Sequence, residues 1–255
     1  LFSCDALAVS GRAKGEMKNL VVRLLRADNA MTSGEGTAAL SLTSVSLGDG
    51  RELSVTSAAS AEVAFTDLKE GTWSVSLISD GPWLAELPEQ KVSAHAGDAS
   101  LKCEGRIASG TGDFLCRGNS VVTVRSPGAE VKLSESKVKI EGSHGPGGLS
   151  WKMATGGKIA GGYAKAKGSA SLLVEGGGND GGSSFSVHLS QGRISDGDIS
   201  ADGLQGNLLW PPVKGDTGRL TVDRISRGKD ALGSLALAFV GKESSVAVSG
   251  QVRTP

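Results

Sequence analysis

Aromatic residues make up only 4% of the 255-residue chain, which also has just three cysteines, three histidines and seven prolines. So few aromatics are a poor basis for sugar stacking. No run of about 18 apolar residues occurs, so no segment reads as a membrane-spanning helix. The 27 basic and 27 acidic residues cancel. That balance speaks against a nucleic-acid binder, which needs a basic excess to neutralise phosphates. Strong helix formers rarely occur in runs, and no fixed-period repeat marks a solenoid or propeller.

Catalytic signatures are missing as well. There is no GxSxG elbow, no HExxH, no GxxxxGK[ST] and no Rossmann fingerprint. His95, His144 and His188 stand far apart in the sequence. His188 falls on the polar side of its segment and reads as a solvated side chain. His144, in "SHGPGG", has no recognised partner. Asp196 and Asp198 in "SDGDIS" read as a polar turn ahead of a calcium site or a glycosidase pair. Trp73, Trp83, Trp151 and Trp210 are scattered. Trp210, before Pro211, reads as a core or groove-end residue ahead of a sugar platform. The expectation is a protein without catalytic residues, metal or cofactor.

What the chain does have is glycine (38 residues) together with abundant Ser, Thr and Val. Strand-like segments bounded by turn residues recur near 18–27, 36–47, 52–66, 71–79, 99–107, 113–125, 129–140, 159–174, 184–194, 198–210, 218–226, 233–240 and 244–253. In "FSVHLS", Phe185, Val187 and Leu189 share one face, and Ser186, His188 and Ser190 the other. "LALAFV" (235–240) is apolar on both faces. In "AEVKLSESKVKIEG" the apolar parity changes between Val131/Leu133 and Val138/Ile140, which predicts a turn or bulge at "SES". "DGPWLAELPEQ" (80–90) predicts the one short helix, with Pro82 in its first turn and Pro88 as its stop. Glycine-rich breaks at 142–148 and 175–184 predict flexible loops, the second alternatively a hairpin tip. Neither break separates two domains, so 1–255 reads as one continuous β-rich segment. The fold class is therefore all-β, with little helix. Two forms bury such alternating strands: a closed β-sandwich, or a long, twisted, mostly antiparallel sheet forming an open apolar groove.

"KCEGRIASGTGDFLC" (102–116) predicts a hairpin. With Ser109-Gly110 as a two-residue turn, Ala108 faces Thr111, Ile107 faces Gly112, Gly105 faces Phe114 and Cys103 faces Cys116. Counting from the closing pair puts the cysteines at a non-hydrogen-bonded position, where side chains are close enough for a disulfide. Leu101, Cys103, Ile107, Phe114 and Cys116 then share one face, while Lys102, Glu104 and Arg106 face out. The alternative is a pair of reduced, buried cysteines. A disulfide implies an oxidising compartment. Cys4, in "LFSC", reads as a small residue of a first strand ahead of a lipoprotein lipidation site.

"GRISDGDISADGLQGNLLW" (192–210), with its Ile199-x-Ala201-Asp202-Gly203-Leu204-x-Gly206-x-Leu208 pattern, resembles the "vxGLxGxL" strands of the AsmA-like superfamily, YdbH- and TamB-like members included. "LTVDRISRG" and "LALAFVGKESSVAVSGQV" follow in the same style, and residues 184–253 carry the likeness best. The resemblance implies a fragment of a longer periplasmic, cell-envelope protein anchored through a segment outside this sequence. It implies an apolar groove that carries phospholipid acyl chains between inner and outer membranes. Partners would be phospholipid, the remaining segments of the same chain and envelope membrane proteins. The groove lining expected here is Val131, Leu133, Val138, Ile140, Val187, Leu189, Leu204, Leu208, Leu220, Val222, Val246 and Val248. Two other functions share this composition: a surface adhesin or structural β-solenoid, and a carbohydrate-active β-sandwich.

Overall fold

The computed structural model describes residues 2–9, 13–27, 30–46, 52–66, 70–108, 110–211, 215–241 and 246–255. The described chain is all-β: sixteen antiparallel strands in one sheet, ordered almost entirely as they occur in the sequence. Among the described residues no helix is long and apolar enough to cross a membrane.

Two compact units share the chain. Unit 1 comprises residues 1–127 and 137–151. It contains β1 (Phe2–Val9), β2 (Ala13–Ala27), β3 (Ala30–Ser46), β4 (Glu52–Phe65), β5 (Glu70–Ser79), β6 (Trp83–Leu87), β7 (Val92–Ala108) and β8 (Thr111–Ser126). Unit 2 comprises residues 128–136 and 152–255. β9 (Ala129–Gly145) and β10 (Gly148–Tyr163) contribute one end to each unit. Unit 2 then continues with β11 (Ala166–Asn179), β12 (Gly182–Asp196), β13 (Ile199–Trp210), β14 (Gly215–Arg227), β15 (Asp230–Gly241) and β16 (Val246–Arg253).

The expected helix at 80–90 is instead a strand followed by one 3-10 turn, Pro88–Gln90. Main-chain pairing overrides the proline signals: β6 bonds Ser54–Thr56 of β4 on one side and Val92–Ala96 of β7 on the other. β5 and β6 thus fill one strand position end to end between β4 and β7. The expected strand 159–174 is two strands, because Ala164 takes φ 54° in a turn that carries neither Gly nor Pro. The glycine-rich stretches are hairpin ends. Residues 142–145 finish β9 and 175–179 finish β11, and each is followed by a two-residue turn. Their glycines make room for rings. A Cβ on Gly142 would stand 2.5 Å from Phe114 Cζ, and one on Gly176 would collide with Phe185. The "SES" irregularity is a bulge: Glu135 has φ 56° inside the unbroken β9.

The hairpin of β7 and β8 has the register expected from its sequence. Cys103 pairs Cys116, Gly105 pairs Phe114, Ile107 pairs Gly112 and Ala108 pairs Thr111. Ser109 lies outside the described residues. Cys103 and Cys116 form a disulfide, with Cα atoms 3.9 Å apart. Lys102, Glu104 and Arg106 are exposed, while Leu101, Cys103, Gly105 and Ile107 are half-buried. β5 continues that apolar face, with Trp73 opposite Gly105, Val75 opposite Cys103 and Leu77 opposite Leu101. Cys4 lies in β1 opposite Leu20, outside the disulfide.

Little of the apolar surface is covered. Among the described residues the buried hydrophobics are Val55, Ala59, Ala61, Cys116 and Val222.

Candidate functional site

An uncovered apolar surface with a continuous register lies in unit 2. In β12, alternation sends Phe185, Val187 and Leu189 to one face. Pairing then fixes what stands beside them. Val187 lies opposite Leu208, Leu189 opposite Gly206, and Phe185 opposite Trp210. On the other side Val187 lies opposite Val174, and Leu189 opposite Leu172. Directly opposed residues point to the same face. One row therefore runs Val174, Val187, Leu208, Gly218, Phe239, Val248 across β11 to β16. The next runs Leu172, Leu189, Gly206, Leu220, Leu237, Gly250. Six strands at sheet spacing make each row about 24 Å long.

The rows border an open, almost wholly apolar recess of about 430 Å³. Of the twelve residues expected to line a groove, Val187, Leu189, Leu208, Leu220, Val246 and Val248 line this recess. Val222 is buried at 5% exposure one row further along. Leu204 lies opposite Gly192, beyond a bulge at Gln191 (φ 54°), and fills the space a side chain there would need. Val131 and Leu133 belong to unit 2 but do not border the recess, and Val138 and Ile140 belong to unit 1. Sequence reading did not single out Phe239 as lining. Its strand is apolar on both faces, so only its register, opposite Gly218 and Val248, assigns it a side. Asn207 and Arg219 also border the recess, yet alternation with Leu208 and Leu220 sends their side chains to the opposite face. Thr217, 1% exposed, has its hydroxyl donated to the Gly215 carbonyl oxygen at 3.3 Å.

The opposite face of unit 2 is mixed, with polar side chains beside Leu173, Leu209 and Val240. His188 Nε2 stands 3.2 Å from Ser186 Oγ and 3.8 Å from Glu175 Oε2. Arg193 Nε pairs with Asp202 Oδ1 at 3.1 Å. Asp196 ends β12 and Asp198 lies in the polar β12–β13 turn expected there, where its Oδ2 accepts from Arg227 Nε at 2.8 Å. His95 lies in β7 opposite Thr123, and His144 near the end of β9. Among the described residues no group of three His, Cys, Asp or Glu side chains is placed to hold a metal ion.

In unit 1 a second recess, about 580 Å³, has a mixed lining in which Val21 and Val63 stand beside Arg23, Glu35, Glu62 and Lys102. Beside it, a hydrogen bond from Lys102 and that residue's positive charge, with Arg117 adding to it, hold the Glu104 carboxyl below the usual glutamate value. The Cys103–Cys116 bond is the mark of a non-reducing, extracytoplasmic environment. No family model matches the chain, and no curated protein or solved structure matches it either.

Proposed function

We propose that the chain is a non-enzymatic, lipid-conducting segment of a periplasmic cell-envelope protein of AsmA-like type, carrying phospholipid acyl chains between membranes along an open apolar groove. The observation that carries this reading is the pair of uninterrupted apolar rows across β11 to β16, uncovered by any other element among the described residues. An acyl chain laid on such a face gains roughly 0.8 kcal/mol per buried methylene. Backbone polar groups on that path are already paired within the sheet, so the chain meets hydrocarbon alone. Charged and polar groups on the opposite face, such as the Arg193–Asp202 pair, meet water, and the disulfide agrees with a periplasmic site.

Mass spectrometry of solvent extracts tests the reading, using non-reduced protein from an oxidising compartment. Phospholipid should accompany the wild-type chain and be lost from a Val187→Asp/Leu220→Asp variant whose far-ultraviolet circular dichroism is unchanged. A wild-type chain that carries no lipid, and takes none up from vesicles, would end the proposal.

A further inference from the structure

We infer that the face of unit 2 turned away from the apolar rows docks on an anionic lipid surface, through a row of arginines on β12, β14 and β16. The inference goes beyond the lipid-conducting reading and stands on different residues.

Register places the row. Arg193 lies opposite Asp202, and Asp202 opposite Arg224. Arg253 lies opposite Ser234. Arg193 alternates with Ile194, and Ser234 with Leu235, so the three arginines share the face opposite the recess. From β12 to β16 the row spans about 19 Å at sheet spacing. The next row, toward the β12–β13 turn, runs Lys167, Ser195, Ser200, Ser226 and adds a fourth cation.

Charge gives the row its partner. The charges of the whole chain cancel. In these two rows Lys167, Arg193, Arg224 and Arg253 meet Asp202 and Asp223, whose carboxylate lies against Gly203. Four cations against two acids leave positive charge in excess. Arg193 is held by Asp202 at 3.1 Å. Lys167, Arg224 and Arg253 have no ion-pair partner among the described residues. Elsewhere Lys18, Arg23, Lys102, Lys139, Lys158 and Arg227 each stand beside a carboxylate. A guanidinium left without a carboxylate offers paired N–H donors that match a phosphate.

Apolar side chains on the same face select a lipid surface over a soluble polyanion. Leu173 lies opposite His188 and Leu209 opposite Ser186, and both leucines are exposed. Exposed leucines near cations suit the boundary between headgroups and acyl chains. The disulfide agrees, since nucleic acid is not the polyanion of a non-reducing, extracytoplasmic setting.

Co-sedimentation of the full chain with vesicles tests the inference. One set of vesicles is phosphatidylcholine alone, the other phosphatidylcholine mixed with phosphatidylglycerol. The wild-type chain should bind the mixed vesicles alone and be released at high salt. Arg224→Gln/Arg253→Gln should weaken binding about fivefold for each arginine removed. Arg23→Gln/Lys139→Gln removes the same charge from unit 1 and should leave binding unchanged. Val187→Asp/Leu220→Asp, which tests the lipid-conducting reading, should still sediment. Equal loss in both charge variants, or no binding to the mixed vesicles, overturns the docking face and leaves that reading standing. Arginine-dependent binding to heparin without binding to vesicles assigns the row to a soluble polyanion and overturns the membrane partner.

Discussion

Cys103 and Cys116 stand directly opposite one another on β7 and β8, their Cα atoms 3.9 Å apart and their sulfurs joined. Val75 of β5 faces Cys103 from the other side, so a row of three small apolar groups crosses three strands. Cys116 is 7% exposed, among the least accessible side chains described. The bond is a covalent rung on the apolar face, beside strand pairs held by main-chain hydrogen bonds.

Replacing both cysteines by serine should lower stability by about 3 kcal/mol, the loop-closure entropy expected for a bridge of this length; the two residues are 13 apart in sequence. Urea unfolding of the wild-type and double-serine proteins without reductant checks it. Equal midpoints and slopes would show that the bridge adds nothing to the paired strands.

Gly105 is the floor under Trp73. A Cβ there would come within 2.5 Å of Trp73 Cε2 and would also collide with the Asp113 carbonyl. Gly105→Val should therefore cost roughly 1–3 kcal/mol by overpacking. It should also change the tryptophan emission maximum, as the ring is pushed off the sheet. Unchanged emission and an unchanged unfolding midpoint would show that the ring does not rest there.

Glu104 gives a pH signature. Its carboxyl is held below the ordinary glutamate value, first by the Lys102 hydrogen bond and charge. The folded state therefore favours the carboxylate. The associated stabilisation is present above the ordinary glutamate pKa and is lost as pH falls through the lowered one. Carbon-detected NMR titration should find Glu104 below the ordinary glutamate value, and Lys102→Met should move it back toward that value.

Val248 separates binding from folding. It borders the recess yet is 59% exposed, so Val248→Asp should change stability by no more than about 0.5 kcal/mol. The same change places a carboxylate in the apolar row and should weaken phospholipid uptake. Unfolding curves and lipid extraction on one preparation check both halves. Unimpaired uptake would place the bound lipid away from β16.

The hairpin of β7 and β8 was legible in the sequence because two constraints coincide there: a two-residue turn and one apolar face leave a single register. The bulge at Glu135 was legible for a related reason, since a parity change within an otherwise alternating run has few physical solutions. β6 was hidden because Pro82 and Pro88 imitate helix boundaries. Its strand state comes from two neighbours, β4 and β7, that lie far away in sequence. The turn at Ala164 carries no glycine or proline, so β10 and β11 ran together in the reading. Val187, Leu189, Leu208 and Leu220 could be read as apolar strand faces. That they share a recess with Phe239 and Val248 depends on four pairings, each free in the sequence to slip by two residues.

The irregularities at Gln191 in β12, Gly203 in β13 and Val222–Ile225 in β14 lie side by side in adjacent strands. Each extra residue shifts the parity of its strand, so that odd-numbered Leu189 and even-numbered Ile194 lie on one face, and Ile194, Ala201 and Ile225 meet in one row. Gln191 is itself the surplus residue of its bulge, so deleting it would leave Gly192 and Ile194 on the apolar side and Arg193 on the other. What such a deletion removes is the local bend and added twist of β12, so these residues shape the curvature of the strand and let an out-of-step sequence keep its apolar side.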